Sequence, residues 1–205
     1  MYALVEDNNI TKIITNPKSL VIGDVRYPAK IFSVWSQSEL NAIGIYEVIT
    51  DSSNKKNEKW YNNTDESYTF ANNQVTRSWG TATPKAHADT LFTAQDETDG
   101  SGIEGNVKVE GLKTILIRSL KTTVANELAK TDWYITRNTE KSTAIPSAVS
   151  THRDAVRTKQ AEMETAIINA GDTPALETLY TYINTGTEEN PVYERPLGEL
   201  PTLEN

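Results

Sequence analysis

The residue types that most often do chemistry are few in this chain and poorly spaced for it. His87 and His152 are the only histidines and lie far apart in the sequence, so no short metal-binding or paired-imidazole motif exists. His152 falls beside the apolar stripe of a predicted helix, where a half-buried packing role is expected. Ser and Asp are plentiful, but no Gly-x-Ser-x-Gly elbow presents a nucleophile, which leaves hydrolysis without a motif. Asp96-Glu97-Thr98-Asp99-Gly100-Ser101-Gly102 alternates carboxylates with a glycine turn, as a calcium loop does. It lacks the twelve-residue spacing and the closing Glu, and reads as an acidic linker. Gly100, Gly102 and Gly105 fail as a phosphate cradle, because neither Gly-Lys-Ser/Thr nor Gly-x-Gly-x-x-Gly is present. No catalytic residue, metal ligand or cofactor is expected on this reading.

Two constellations could bind rather than react. Trp35, Trp60, Tyr61, Tyr68, Phe70 and Trp79 supply flat aromatic faces of the kind on which sugar rings and extended peptides stack. With few aliphatic residues nearby, the same rings are needed for a core. A glycan-binding role therefore requires at least two of Trp60, Tyr61 and Trp79 to share an exposed surface. The second constellation is Trp133, Arg153 and Arg157. Trp133 is expected as a plug between two helices. Arg153 and Arg157, one turn apart on one helix face, are expected to pair with Asp132 and Glu140 or to reach a neighbouring subunit.

Composition narrows the partners. The chain has no cysteine, which removes disulfides, thiolate metal sites and cysteine nucleophiles together. A formal charge of -8 argues against binding nucleic acid through phosphate neutralisation. No apolar run approaches the roughly 20 residues of a membrane span, and Met1 to Asp7 does not read as a secretion signal, so a soluble protein made in a cytoplasm is expected.

The periodicities imply an α+β chain with a small N-terminal β-rich domain, a helical hairpin module and an extended proline-containing tail. In residues 1–83, strand-like runs at Tyr2–Glu6 and Ile10–Ile14 flank Asp7-Asn8-Asn9, and Tyr68–Phe70 and Gln74–Trp79 flank Asn72-Asn73, two hairpin signals. Ser36 with Glu39 three positions on is a capping pair. Residues 84–107, rich in Thr, Ala, Asp and Gly, read as a linker. In residues 108–183 the period changes to that of a helix. Leu112, Ile115, Leu116, Leu120, Val124 and Leu128 form one stripe; a second helix starts at Pro146 and is capped by Gly171; a third runs from Pro174 to Ile183. Residues 184–205, with Pro191, Pro196 and Pro201, are expected as an extended arm.

Thr131-Asp132-Trp133-Tyr134, Arg137, Glu140, Ile145-Pro146 and His152-Arg153-Asp154-Ala155-Val156-Arg157 together resemble the helical C-terminal module of bacteriophage tail and tail-fibre assembly proteins, with His152 where Tyr is commoner. Tyr2–Asn8, Tyr27-Pro28, Glu39-Leu40 and Ile43–Val48 resemble small phage tail proteins less specifically. The resemblance implies a non-enzymatic structural protein of the virion tail, baseplate or fibre-attachment region, synthesised in the host cytoplasm, with tail or fibre proteins as partners in a homo- or hetero-oligomer. A tail-fibre assembly chaperone and a host-glycan binding module are the alternatives.

Overall fold

The computed structural model describes residues 1–203, and the chain divides into two compact units, 1–83 and 84 onward. Glu204 and Asn205, the end of the expected arm, lie outside the described residues.

The first unit is built on a five-stranded sheet. Its elements are β1 (Tyr2–Glu6), β2 (Asn9–Ile14), β3 (Leu20–Ile22), β4 (Val25–Tyr27), α1 (Ile31–Val34), α2 (Gln37–Ala42), β5 (Ile45–Thr50), β6 (Tyr61–Asn62), β7 (Glu66–Ala71), β8 (Gln74–Trp79) and β9 (Thr83–Pro84). The sheet order is β2-β1-β5-β8-β7, antiparallel except for the parallel β5–β8 pair. Both expected hairpin turns form, with positive φ at Asp7 and Asn8 and again at Asn72 and Asn73. Their short polar side chains tolerate the left-handed region that such two-residue turns demand. Ser36 caps α2 in a full capping box, its hydroxyl accepting from Glu39 N–H while the Glu39 carboxylate takes Ser36 N–H.

Strand alternation distributes the core to both sheet faces. Leu4 packs with Ile14, Leu20, Ile31, Leu40 and Ile45, beneath the two short helices. Ala3 and Val5 point the other way, to Val48 and Val75, where Tyr46 and Phe70 pack in a tilted pair at 4.7 Å between ring centroids. Gly44 sits where the chain passes β1: its carbonyl accepts Val5 N–H at 2.8 Å, and a Cβ on it would meet the Val5 carbonyl oxygen at 2.5 Å. Only glycine fits there.

The second unit contains β10 (Thr90–Leu91), α3 (Ala94–Thr98), β11 (Val107–Val109), α4 (Leu112–Ala129), α5 (Asp132–Lys141), α6 (Ser147–Asn169), α7 (Thr173–Tyr180), β12 (Ile183–Asn184) and β13 (Tyr193–Glu194). Residues 84–107, expected as a linker, belong to this compact unit. Ala86 and His87 carbonyls accept the N–H groups of Leu112 and Lys113, and the Asp89 carboxylate accepts Gly111 N–H at 2.6 Å and the Thr114 hydroxyl at 2.8 Å. These contacts satisfy N–H groups that open the first turn of α4 and have no partner within the helix, and they hold the Asp89 carboxyl below its ordinary range. A Cβ on Gly111 would lie 2.3 Å from the Ala88 carbonyl, so glycine permits this close approach.

Helix α4 buries Leu112, Leu116, Leu120 and Val124 against Val149, Val156, Met163 and Ile167 of α6. Ile115, expected in that stripe, is exposed, because the buried face is narrower than the sequence stripe. The stretch between α4 and α6, for which the periodicity predicts no helix, is itself helical, α5, closed by Ser142 with positive φ. Helix α6 ends at Ala170 in an extended conformation, and the expected left-handed cap at Gly171 does not form. Among the described residues no helix is long and apolar enough to cross a membrane.

The C-terminal segment departs from a simple extended arm. Ile183 pairs with Glu194 and Asn184 with Tyr193, making a short hairpin that turns the chain back. Leu197 then buries its side chain, 3% exposed, while its N–H donates to the Leu179 carbonyl at 3.0 Å. Prolines forbid a helix here, but they allow the exposed hairpin and the turn that docks Leu197.

Candidate functional site: the α4–α5–α6 corner

The corner between α4 and α6 gathers the polar residues of the second unit. Arg153 lies on the buried side of α6, 8% exposed, and its guanidinium reaches the end of α4. Nη1 donates to the Leu128 carbonyl and to the Thr131 hydroxyl, both at 2.7 Å, and stands 2.9 Å from the Asp132 carboxylate at the start of α5. Thr131 is itself buried and donates its hydroxyl back to Leu128 at 3.0 Å. The arginine thus donates to a carbonyl at the end of one helix and faces the acidic first residue of the next, both favourable for a cation. Its position fixes the angle at which the chain turns from α4 into α5.

One turn away in α4, Glu127 sits 2.5 Å from Lys130, and its Oε1 is 3.4 Å from His152 Nε2. The Lys130 ammonium is the main reason the Glu127 carboxyl stays below its usual range, helped by His152. His152 is buried, and Nε2 has no hydrogen-bond partner among the described residues. The expectation of a half-buried histidine understates its enclosure.

Trp133 does not seal this corner. It is 51% exposed, stacked on Tyr134 with ring centroids 3.8 Å apart, and the Arg137 guanidinium lies 5.9 Å from its ring. The plug reading is therefore corrected: α5 begins at Asp132, and its first turn aims the indole away from the α4–α6 core that the apolar stripes already fill. Arg157 also points outward and pairs with Asp154 at 3.2 Å on its own helix; Glu140, its expected partner, has no place in that pair. Arg153, by contrast, meets Asp132 as expected.

The aromatic constellation of the first unit is mainly core. Trp60 and Trp79 are buried and Tyr61 is half-buried, so at most one of the three rings offers an open face. Lys59 lies 4.4 Å from the Trp60 ring centroid, and Lys55 and Arg77 lie 5.0 and 4.8 Å from that of Trp79. Glu66 binds Arg77 and accepts the Tyr68 hydroxyl at 2.7 Å, which lowers the carboxyl and raises the phenol. Cations already occupy the ring faces a sugar would stack on, and the condition for a glycan platform is not met.

The acidic run at residues 96–102 is also committed elsewhere. Thr93 and Asp96 form the capping box of α3, and Lys108 binds Asp96 at 2.6 Å. The lysine, followed by Thr93 N–H and its hydroxyl, holds the Asp96 carboxyl down to about 2. Among the described residues no group of three or more His, Asp or Glu side chains could hold a metal ion.

Sequence reasoning missed Glu127, Lys130 and the Leu128 carbonyl as members of the corner. The spacing Glu127-x-x-Lys130 was the available signal, since three residues apart on a helix are neighbours. Comparison with family models, with curated proteins and with solved structures finds no match for this chain.

Proposed function

We propose that this chain is a non-enzymatic structural protein of a bacteriophage tail, placed in the tail, baseplate or fibre-attachment region and working through contacts with tail or fibre subunits. One observation carries the reading. Thr131, Asp132 and Arg153, positions on which the resemblance to phage tail modules rests, converge into a single clamp. Trp133 and Tyr134 from the same motif stay at the surface as a stacked pair. A motif divided in this way, half setting a helical corner and half displayed beside it, suits a docking module and supplies no reacting group.

In the finer version of this proposal, α4 and α6 form a hairpin joined through α5, and the proline-bearing C-terminal segment is an arm that contacts neighbouring subunits. The Arg153 clamp, not Trp133, is the element that holds the helical corner in this reading. Aromatic residues with an adjacent arginine are the types enriched where interfaces concentrate binding energy.

Purified particles produced by the encoding genome test the proposal. Mass spectrometry should find the chain in virions in fixed ratio to tail proteins. Its absence from virions, with fibres misassembled when the gene is deleted, would instead assign it as an assembly chaperone. Normal, infective particles from the deletion would refute both roles.

A further inference from the structure

We infer that the C-terminal hairpin finger of one copy docks in a groove along the outer face of α4 on a second copy of the same chain. This stands on the geometry of the second unit alone and does not depend on the bacteriophage reading.

The finger is a two-stranded ladder of two residue pairs, Ile183 with Glu194 and Asn184 with Tyr193, extended by the Thr185 N–H to Val192 carbonyl bond at 2.7 Å. Every residue from Thr181 to Glu194 is exposed, Tyr193 reaching 65%. Opposed residues share a face, so Ile183 and Val192 lie on one side and Tyr193 on the other. An isolated hairpin of this size is marginal in water and gains stability when an apolar surface covers it. Its root is held firmly. Leu197 is buried, Arg195 donates to the Gly198 carbonyl at 3.0 Å and binds Glu199, and its guanidinium stands 5.5 and 5.6 Å from the Tyr180 and Tyr182 rings. A rigid base therefore presents a tip that carries Glu188 and Glu189, neither in a hydrogen bond or ion pair among the described residues.

The outer face of α4 has the complementary character. Ile117 and Ala125 give it an apolar floor, and Arg118 and Lys121 flank that floor, each with a side chain 58% exposed. Arg118 also binds Glu110 through Nη2 and lies in the field of the Asp89 carboxylate, with no other side-chain hydrogen bond among the described residues, and Lys121 stands 3.9 Å from Glu164, beyond hydrogen-bond distance. The lengths agree as well. From Thr114 to Ala125 the helix rises about 16 Å at 1.5 Å per residue, and the finger from Ile183 to its tip reaches about 17 Å at roughly 3.3 Å per residue. Finger and groove are different surfaces, so the contact is head-to-tail and each copy both gives a finger and receives one, which builds a ring or a continuing stack. The formal charge of -8 on every copy opposes this association at long range, so the local pairing of Glu188 and Glu189 with Arg118 and Lys121 decides it.

Sedimentation velocity of the full chain over a concentration series tests the inference. The wild type should show a mass that rises with concentration above the 22.8 kDa monomer. Reversing the tip (E188K with E189K) or the groove (R118E with K121E) should each weaken association at least tenfold, and combining all four should restore it. A second measurement covers variants that fold poorly. Because the chain has no cysteine, copies carrying only N190C, beside the tip glutamates, can be mixed with copies carrying only T122C, beside Lys121, which leaves all four charges in place. A short bis-maleimide should then join the two kinds into a heterodimer, in excess of either homodimer. A wild type that stays monomeric throughout overturns the inference, as does association without that cross-link, or tip reversal that leaves association unchanged in a folded chain.

Discussion

Replacing Arg153 with alanine should cost the second unit about 3 kcal/mol, and the structure says where that figure comes from. Arg153 is buried and makes two 2.7 Å bonds, to the Leu128 carbonyl and the Thr131 hydroxyl. Hydrogen bonds to a charged group contribute about 1.5–3 kcal/mol net. Here the two together are worth only about 1.5 kcal/mol, the low end for a single such bond, because the Leu128 carbonyl keeps the Thr131 N–H at 3.1 Å and hydroxyl at 3.0 Å after the arginine is gone, so neither partner is left without a bond. The Asp132 side chain is 60% exposed, so water takes it back and the ion pair adds less than about 1 kcal/mol. The rest comes from the buried aliphatic stem, at about 0.8 kcal/mol per methylene fully covered. Arg153→Met keeps most of that stem and should lose only about 1.5 kcal/mol. Urea titration followed by far-ultraviolet circular dichroism, with both variants beside the wild type, separates the two contributions. A loss below about 1 kcal/mol for Arg153→Ala, or no difference between the alanine and methionine variants, would show that the clamp neither orders the corner nor packs it.

Trp133→Ala should change stability by less than about 1 kcal/mol, since a half-exposed ring loses little burial; the same urea titration should show it far milder than Arg153→Ala, and the reverse order would restore the plug. Leu197→Ala should lower stability by about 2–3 kcal/mol through the cavity it leaves, read as a depressed melting temperature, whereas an arm with no intramolecular role would show no change. Asp96, whose folded pKa of about 2 lies below its ordinary 3.8, contributes stability that is complete above pH 3.8 and disappears as the pH falls toward 2. Asp96→Asn should therefore flatten the stability profile across that window while leaving residual dependence from other carboxylates, and an unchanged profile would count against the Lys108–Asp96 contact.

Much of the first unit was readable from short-range signals. Asp7-Asn8 and Asn72-Asn73 specify hairpins because their side chains tolerate positive φ, and Ser36 with Glu39 specifies a helix start because each satisfies the other's backbone N–H. Thr93 with Asp96 carries the same signal, but the polar composition around it hid α3 inside an apparent linker. The linker reading failed for a related reason. Residues 84–107 bury little apolar surface, and what ties them to α4 is mainly backbone and Asp89 hydrogen bonding, which leaves no hydrophobic period in the sequence.

What the sequence determined by itself is local: which segments extend, which coil, where caps and turns fall, and that Arg153 and Asp132 are available as opposite charges. Tertiary structure alone decided which face of each element went inside. The α4 and α6 stripes filled the core between them, so the indole of Trp133 was left to solvent while the charged Arg153 was drawn in to meet a carbonyl and a carboxylate at the helix junction. Hydropathy ranks side chains one at a time and would order that pair the other way. Burial is settled by how much apolar surface the neighbouring helices already cover, and by whether a polar group that goes inside finds its partners there.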